Sequence, residues 1–287
     1  MSRGLDHIVH AVHDLEAAAA FYRRLGFTVG ARNRHPWGTH NYVVQFPGFF
    51  IELLTVAEPE KIVASAPRSF SFGAFTQHFL ARREGFAMLV MESADARKDA
   101  QVFKSSSVGD YDVFDFAREG SKPDGSAVKV AFSLAFATAP DADAGFFVCQ
   151  QHHPENFWNP VFQDHANFVS GVAGVVLVAQ SPHDYCGFLT AFAGVDALQD
   201  EAGGISTITT RGIIQVVPPA GFRAVTGIEP PETDAGARIA ALRLRARDMG
   251  ALAALLADAG VAAKRCAGDL IVDARDAMGA TIIFEPG

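Results

Sequence analysis

One pattern recurs along this chain: an apolar strand, a short helix and then further strands. The first copy opens with the strand 5–12, and its helix can be capped by Asp14 and ended by Gly26. The strands that follow end with the apolar segment 49–54. We interpret this copy as a βαβββ module, in which one helix covers one face of a four-stranded sheet. Because the other face would stay bare, each module needs a partner.

The same order of elements returns three more times. Apolar strands that can open a module occur at 86–91, 172–178 and 238–244, and Gly260 follows the last helix as Gly26 follows the first. Two modules side by side form a curved, mostly antiparallel sheet of eight strands around a cavity. The sequence therefore predicts an α+β fold of four βαβββ modules paired into two domains.

Connections between the modules are marked by turn residues. The segments 154–165 and 218–236 are connections, the second rich in proline and glycine, and Lys-Pro-Asp-Gly at 122–125 is typical of a hairpin turn. We place the domain boundary after the first of these connections. The predicted domains are 1–165, with modules one and two, and 166–287, with modules three and four.

Composition narrows the class of protein. Of 287 residues, 49% are hydrophobic and 20% charged, which is typical of a globular enzyme, and the formal charge of −8 disfavours nucleic acid, whose phosphates need a basic face. No apolar run has membrane length, and the first residues lack the apolar core of a signal peptide. Cys149, Cys186 and Cys266 form no CxxC pair, so neither a disulfide framework nor a thiolate zinc site is indicated. We expect a cytoplasmic protein with a small-molecule substrate and no membrane partner; a homodimer is an open option.

Two polar residues stand out in the apolar strands of module one. His7 lies in the first strand and Glu52 in the last. Alternation along a strand places His7 with Val9 on one face, while His10 faces the helix. If the first and last strands pair, His7 and Glu52 converge on one face. An imidazole and a carboxylate suit Fe, Mn, Ni or Zn as divalent ions.

This arrangement, with a candidate ligand on the first and last strand of a βαβββ unit, resembles the vicinal oxygen chelate superfamily. That superfamily includes glyoxalases, extradiol dioxygenases and bleomycin-resistance proteins, and the chain is most similar to its glyoxalase-like branch. The resemblance implies a divalent metal ion that holds two adjacent substrate oxygens. It implies His7 and Glu52 as metal ligands, roughly 3–4 Å apart given metal–ligand bonds near 2.0–2.2 Å. Glu52 would also act as a base.

The other modules depart from the glyoxalase pattern. Glyoxalase-type enzymes take two further ligands from the partner module, and the matching positions here are poor ligands. At the place of His7, module two offers Gly85, Phe86 or Ala87, and module three Gly174; at the place of Glu52, module two offers Cys149 or Gln150, and module four Ile283 or Phe284. We therefore predict that modules three and four are degenerate, and that metal dependence is in question.

Two polar clusters can complete a pocket between modules one and two. In the first, at 34–41, Arg34 can hold a carboxylate and His35 or His40 can move a proton. The second, at 150–159, follows the last strand of module two. We predict Glu52, His40 and His152 as catalytic residues. The predicted substrate-binding residues are Arg34, Trp37, Asn41, Gln150, His153, Glu155 and Trp158.

The predicted function is that of a metal-assisted lyase, isomerase or dioxygenase acting on a small oxygenated metabolite. Other catalytic signatures, namely HExxH, a P-loop, GxSxG and GxGxxG, do not occur in the sequence. The alternative is a metal-free protein that binds or sequesters a small molecule, as bleomycin-resistance proteins do. That alternative accounts for the missing ligands and for the 24 phenylalanines.

Overall fold

The computed structural model describes residues 2–121, 127–201 and 203–287. Across these residues the strands form two curved sheets of eight strands, each built from two βαβββ modules. The predicted α+β fold of paired modules is confirmed. The turn predicted at 122–125 lies outside the described residues.

The first sheet is organised around its two opening strands, β1 and β5, which pair antiparallel at its centre. Each opening strand also pairs in parallel with the closing strand of its own module, β1 with β4 and β5 with β8. The strands are β1 (Leu5–Ala11), β2 (Asn33–Arg34), β3 (Thr39–Phe46), β4 (Phe49–Val56), β5 (Gly85–Glu92), β6 (Phe114–Ser121), β7 (Ala127–Ala137) and β8 (Gly145–Gln151). Their order in the sheet is β2-β3-β4-β1-β5-β8-β7-β6.

The second sheet repeats this plan, with order β10-β11-β12-β9-β13-β16-β15-β14. Its opening strands β9 and β13 again pair antiparallel at the centre. The strands are β9 (Val169–Val178), β10 (Gln199–Glu201), β11 (Gly204–Ile208), β12 (Ile213–Val217), β13 (Arg238–Ala246), β14 (Lys264–Cys266), β15 (Asp269–Val272) and β16 (Thr281–Pro286). Our predicted domain boundary at 165 falls in the connection between β8 and β9.

The helices follow their sequence signals. They are α1 (Leu15–Arg24), α2 (Phe72–Leu80), α3 (Ala96–Ser105), α4 (Pro154–Phe157), α5 (Cys186–Ala193), α6 (Pro219–Thr226) and α7 (Met249–Asp258). The Asp14 side chain accepts a hydrogen bond from Ala17 N at 2.9 Å, so the predicted cap of α1 is present. Gly26 follows α1 with φ of +85°, a conformation that a glycine adopts without strain. None of the helices in the described residues has the length and apolar character needed to span a membrane.

The two sheets share one hydrophobic core. Ile8 and Leu89 of the first sheet belong to the same buried cluster as Val175 and Leu242 of the second. The opposite face of the first sheet carries a separate cluster, which includes Val9 of β1. The alternation predicted for β1 therefore separates a core face from a pocket face.

Part of the second half differs from the sequence prediction. The sequence predicts a connection at 218–236, but this segment contains α6. The helix begins at Pro219, and Gly227 follows its last residue in a left-handed conformation. Proline in the first turn and glycine after the last turn are favourable helix signals. In this segment they were interpreted as turn residues, because proline and glycine are frequent in it. Strands β10 and β11 are not predicted by the sequence: Gln199–Glu201 is polar and lacks apolar alternation, and β11 begins at Gly204 of the Gly-Gly pair, which is typical of a turn.

His10 lies at the contact between the two halves of the chain. Its Nε2 is 2.9 Å from Met278 O and its Nδ1 is 3.0 Å from the Tyr22 hydroxyl. A carbonyl only accepts, so Nε2 carries the proton and Nδ1 accepts from Tyr22. Burial lowers the pKa of His10 to about 4, against the opposing effects of the Met278 bond and Glu84. His10 is thus neutral in the folded protein at neutral pH.

We predict that His10 makes stability decline in weak acid. The unfolded chain takes up the proton near pH 6.5 and the folded chain only near pH 4, so stability falls between these values. The loss should total about 3 kcal/mol, as expected for such a pKa difference. In His10→Gln, which keeps one donor and one acceptor, the free energy of unfolding measured with denaturant should fall between pH 7 and pH 4 by about 3 kcal/mol less than in the unchanged protein.

The control is His183→Gln, because the His183 side chain is largely exposed. Its pH profile should match that of the unchanged protein. An unaltered slope in His10→Gln would contradict the assignment of this acid sensitivity to His10.

Candidate functional site

The concave face of the first sheet holds a pocket of about 850 Å³, including the space at its open mouth. Eight of its twenty lining residues carry a phenyl or indole ring. The aromatic residues are Trp37, Phe50, Phe72, Phe114, Phe116, Phe132, Phe147 and Phe157. The polar groups are fewer, and they come mainly from module one: His7, Asn33, His35, Thr39, Asn41 and Glu52, with Arg118 from module two. The pocket therefore has a polar side and an apolar side, as small-molecule sites commonly do.

The pocket is closed laterally because the edge strands of the first sheet approach each other. Arg118 on β6 donates from Nη1 to Asn33 Oδ1 on β2 at 3.1 Å. Phe116 on β6 packs against the Trp37 ring with centroids 5.0 Å apart. Residues from the two ends of the sheet order thus contact each other and close this side of the cavity.

The His7 imidazole is hydrogen-bonded to the carboxylate of the preceding residue, Asp6. Its Nδ1 is 2.6 Å from Asp6 Oδ1, and Asp6 Oδ2 accepts from Gln151 Nε2 at 3.0 Å. The imidazole stacks on Phe50 with centroids 4.2 Å apart. A carboxylate accepts, so Nδ1 donates and Nε2 carries the lone pair; we assign this tautomer from the hydrogen bond. Within the described residues Nε2 has no hydrogen-bond partner, and His7 lines the pocket.

Glu52 is engaged by neighbouring side chains of module one. Its Oε1 accepts from Asn41 Nδ2 at 2.5 Å and lies 3.9 Å from His35 Nε2. Burial lowers the pKa of His35, with Glu52 opposing the shift, so His35 is neutral near pH 7. The His35 ring stacks on Trp37 at 4.8 Å. Asn41 Oδ1 is buried with no hydrogen-bond partner in the described part of the chain.

Arg118 supplies positive charge to the polar side. Burial lowers the pKa of its guanidinium and Glu52 raises it, but an arginine stays protonated in proteins. Among the described ion pairs there is no contact within 4.0 Å between Arg118 and Glu52. The two charges therefore attract each other across the pocket without touching. A ligand with a negative group can enter beside the guanidinium.

The side chains present do not fit the divalent metal implied by the resemblance. The structure has no nitrogen–oxygen contact within 4.0 Å between His7 and Glu52, so the predicted separation of 3–4 Å is wrong. Glu52 pairs with Asn41, and Val9 rather than His7 is its register partner on β1. Across the described ranges no group of three or more histidine, cysteine or carboxylate side chains is placed to hold an ion. A catalytic metal normally takes three protein ligands.

Strand register identifies what replaces the missing ligands. In module one, His7 on β1 is the register partner of Phe50 on β4. In module two, Val90 on β5 is the register partner of Phe147 on β8. His7 and Val90 also lie opposite each other where β1 pairs with β5. Val90 is therefore the counterpart of His7, not Gly85, Phe86 or Ala87 as predicted. By the same register Cys149 is the counterpart of Glu52. Burial, with Asp6 and Glu52, raises the pKa of the Cys149 thiol well above its usual value, so it is a poor ligand.

Two predicted residues of the first cluster lie outside the pocket. Thr39 and Asn41 on β3 face the pocket, so His40 between them faces the other way. His40 Nε2 is 3.0 Å from Glu58 Oε2, and its Nδ1 accepts from Arg32. Arg34 on β2 is the register partner of His40 on β3, and its side chain is exposed. The predicted shared cavity is wrong for both, whereas Trp37, Asn41 and Glu52 do line the pocket.

The second polar cluster lies outside the pocket as well. On β8, Phe147 and Cys149 face the pocket, and Gln150 points away and accepts from Ala96 N. His152 is exposed and bonds Ser133 Oγ at 2.7 Å. The chain leaves the sheet at this point, and the cluster turns to the surface. Also off the pocket wall are His153 and Glu155, which pair with each other at 3.6 Å, and Trp158, which packs against Phe50.

The sequence prediction missed Asp6, Asn33 and Arg118. Asp6 directly precedes His7, and an acidic neighbour that can orient a histidine was a usable signal. Arg118 and Asn33 are 85 residues apart and meet only because the sheet closes on itself. No local pattern in the sequence indicates that contact.

The paired βαβββ modules around a concave, largely apolar pocket define a fold of the vicinal oxygen chelate type. The chain belongs to the glyoxalase-like domain family, whose model matches residues 5–191. No curated protein sequence matches it.

Solved structures resemble the whole chain in fold. A hypothetical protein from Staphylococcus aureus has a TM-score of 0.67 at 14% identity, covering 99% of this chain and 100% of its own. A mutant 4-hydroxymandelate synthase from Streptomyces coelicolor has a TM-score of 0.59 at 10% identity, covering 100% of this chain and 93% of its own. A xylose isomerase-like TIM barrel/4-hydroxyphenylpyruvate dioxygenase fusion protein has a TM-score of 0.54 at 13% identity, covering 100% of this chain and 50% of the fusion. At these identities the likeness concerns the fold alone.

The contact between Asn41 and Glu52 gives a test of the site geometry. Asn41→Leu leaves a half-buried carboxylate without its amide donor, and we predict a loss of about 1–3 kcal/mol in the free energy of unfolding. In the double variant Asn41→Leu/Glu52→Leu no carboxylate remains to be satisfied, so most of that loss should be recovered. Urea unfolding of the single and double variants measures both. Strictly additive losses would contradict the coupling.

Proposed function

We propose that this chain catalyses proton transfer on a small oxygenated aromatic molecule bound in the pocket of the first sheet, as a lyase or isomerase of the glyoxalase-like family. One observation carries the proposal. The Asp6 carboxylate holds His7 Nδ1, while Nε2 has no hydrogen-bond partner among the described residues and the His7 side chain lines the pocket. This is the arrangement of an oriented general base.

His7 would remove a proton from the substrate through Nε2 and return it at a neighbouring position. Asp6 fixes the ring orientation and stabilises the imidazolium that forms, and Gln151 fixes Asp6. Stacking on Phe50 keeps the ring from rotating. The aromatic walls keep water away from the transferred proton, which strengthens the electrostatic effect of the carboxylate.

The walls of the pocket indicate the class of substrate. An aromatic ring fits the apolar side formed by module two, where ring–ring contacts are favourable. A carboxylate or developing oxyanion fits beside Arg118, which offers charged donors. A structural relative is named for 4-hydroxyphenylpyruvate, a molecule with both features. We therefore propose an aryl 2-oxo acid or a molecule of similar shape.

The metal-assisted and dioxygenase reactions expected from the resemblance are not part of this proposal. His7 and Glu52 are separated, Glu52 is bonded to Asn41, and Val90 and Cys149 occupy the partner positions. The donor set thus favours acid–base chemistry by the protein's own groups.

Exchange of the methylene protons of phenylpyruvate in D₂O, followed by NMR, tests the proposal. Wild-type protein treated with a chelator should accelerate exchange above the buffer rate. His7→Gln should lower that acceleration by about 10²–10⁴-fold, the usual contribution of a general base. Asp6→Asn should also lower it, because the ring loses its orienting carboxylate. The matched control is His153→Gln, because His153 is half-buried and off the pocket wall, and it should leave the rate unchanged.

The second candidate function is sequestration of an aromatic molecule without catalysis. The observation that favours it is the aromatic wall itself, together with the non-ligating Val90 and Cys149. Saturable binding of phenylpyruvate by calorimetry, without any acceleration of exchange, would support sequestration and contradict catalysis. Equal acceleration in wild type and His7→Gln would also contradict the role of His7.

A further inference from the structure

The polar wall of the pocket contains a row of four side chains that crosses three neighbouring strands. Arg118 Nη1 donates to Asn33 Oδ1 on β2 at 3.1 Å. Asn33 is the register partner of Asn41 on β3, and Asn41 Nδ2 donates to Glu52 Oε1 on β4 at 2.5 Å. All four residues line the pocket. The row therefore has a guanidinium at one end and a carboxylate at the other, with two amides between them.

Both charged ends of this row can be reached from the pocket. The Glu52 side chain is 13% exposed, and because Glu52 lines the pocket, its exposed part faces a bound molecule. Its Oε2 has no hydrogen-bond partner in the described part of the chain. Arg118 is half-buried and also lines the pocket. One ligand can therefore meet an acceptor oxygen at one end and N–H donors at the other.

The two charged ends are close enough to contact one small molecule. The Arg118 guanidinium contacts β2 and the Glu52 carboxylate contacts β3, so less than two strand spacings of ~4.8 Å separate them. Both charges act on the His35 ring, whose pKa is lowered by burial, raised by Glu52 and lowered by Arg118. A ligand carboxylate with a donor group on the next carbon spans this gap with a hydrogen bond of ~2.8 Å at each end.

A ketone oxygen is an unfavourable partner for Glu52. A carboxylate only accepts hydrogen bonds, and a ketone oxygen also only accepts. Two acceptors that face each other without a proton between them both lose the hydrogen bonds that water would give. A hydroxyl or ammonium group at the same place donates to Oε2, and a hydrogen bond to an ionised acceptor is strong. The wall therefore discriminates by the group beside the ligand carboxylate.

We propose that Glu52 is a specificity-determining residue that selects aryl acids with a hydrogen-bond donor, a hydroxyl or an ammonium group, on carbon 2, next to the carboxylate. The inference rests on the proposed function for the place of the ring and of the carboxylate beside Arg118. The enol of an aryl 2-oxo acid also meets the requirement. A proton leaves carbon 3, the carbon–carbon double bond forms, and the proton ends on the oxygen of carbon 2 as a hydroxyl. Glu52 thus favours the enol over the ketone.

Calorimetric titration with four acids that differ only at carbon 2 tests the proposal. The acids are phenyllactate with a hydroxyl, phenylalanine with an ammonium group, phenylpyruvate with a ketone and phenylpropionate with hydrogen alone. We expect at least one of the two donor-bearing acids to bind about tenfold or more tightly than phenylpropionate, because a hydrogen bond to a charged group contributes this much. The tighter of phenyllactate and phenylalanine identifies the donor as a hydroxyl or an ammonium group.

Glu52→Gln removes the charge and replaces one acceptor oxygen by an N–H donor. The affinity of the preferred donor-bearing acid relative to phenylpropionate should fall by about tenfold, whereas phenylpyruvate should gain relative to phenylpropionate. Because both quantities are ratios within one variant, general damage to the pocket cancels. The matched control is Glu58→Gln, since Glu58 bonds His40 off the pocket wall, and it should keep both ratios.

If Glu52→Gln fails to fold, the variant Asn41→Leu/Glu52→Leu takes its place, and the donor-bearing acids and phenylpropionate should then bind about equally. Equal affinities for all four acids in the unchanged protein would overturn the proposal, since water would then satisfy Glu52. Unchanged ratios in Glu52→Gln would overturn it as well.

Calorimetry measures binding without turnover, so its outcome is separate from that of the proton-exchange test. Accelerated exchange together with equal affinities for the four acids would overturn this inference and support the proposed function. A donor preference that depends on Glu52, without accelerated exchange, would support this inference and contradict the proposed catalysis.

Discussion

The antiparallel pairing of β1 with β5 is the constraint on which the rest of the first half depends. It joins the two modules so that His7 lies opposite Val90, and each module's closing strand then extends the sheet outward. Because side chains alternate along a strand, this one register decides which residues enter the core and which face the pocket. Ile8 packs in the core shared with the second sheet, while His7 and Val9 face the concave side.

Features that depend on local order could be predicted from the sequence. The strands of module one, the Asp14 cap and the Gly26 stop follow from residue type and spacing, and the return of that order in three further segments gave the paired-module fold. The alternation on β1 also placed His7 toward the pocket. Asn41 and Trp37 belong to the predicted polar cluster at 34–41, which enters β3, and both line the pocket.

Features that depend on the closure of the sheet could not be predicted. His40 and Asn41 are neighbours on β3, and neighbouring side chains on a strand face opposite sides of the sheet. The predicted cluster at 34–41 is therefore divided between the two faces, and His40 bonds Glu58 outside the pocket. His152 follows β8 where the chain turns outward, and no periodicity applies there. Arg118 reaches the pocket only because β6 curls toward β2. The curvature of a sheet depends on all its strands together, so it cannot be predicted from the local pattern of any one segment of the sequence.

The pseudo-symmetry of the first sheet explains why its pocket is one-sided. Module one has a histidine and a carboxylate at the positions where module two has Val90 and Cys149, so most of the polar groups lie on the side of module one. A symmetric site would offer ligands from both walls to a central ion. Here the remaining carboxylate bonds to Asn41 and the histidine to Asp6, each within its own module. Because module two supplies no ligand at these positions, the arrangement suits the molecule proposed above, with one apolar and one polar end, better than a central ion.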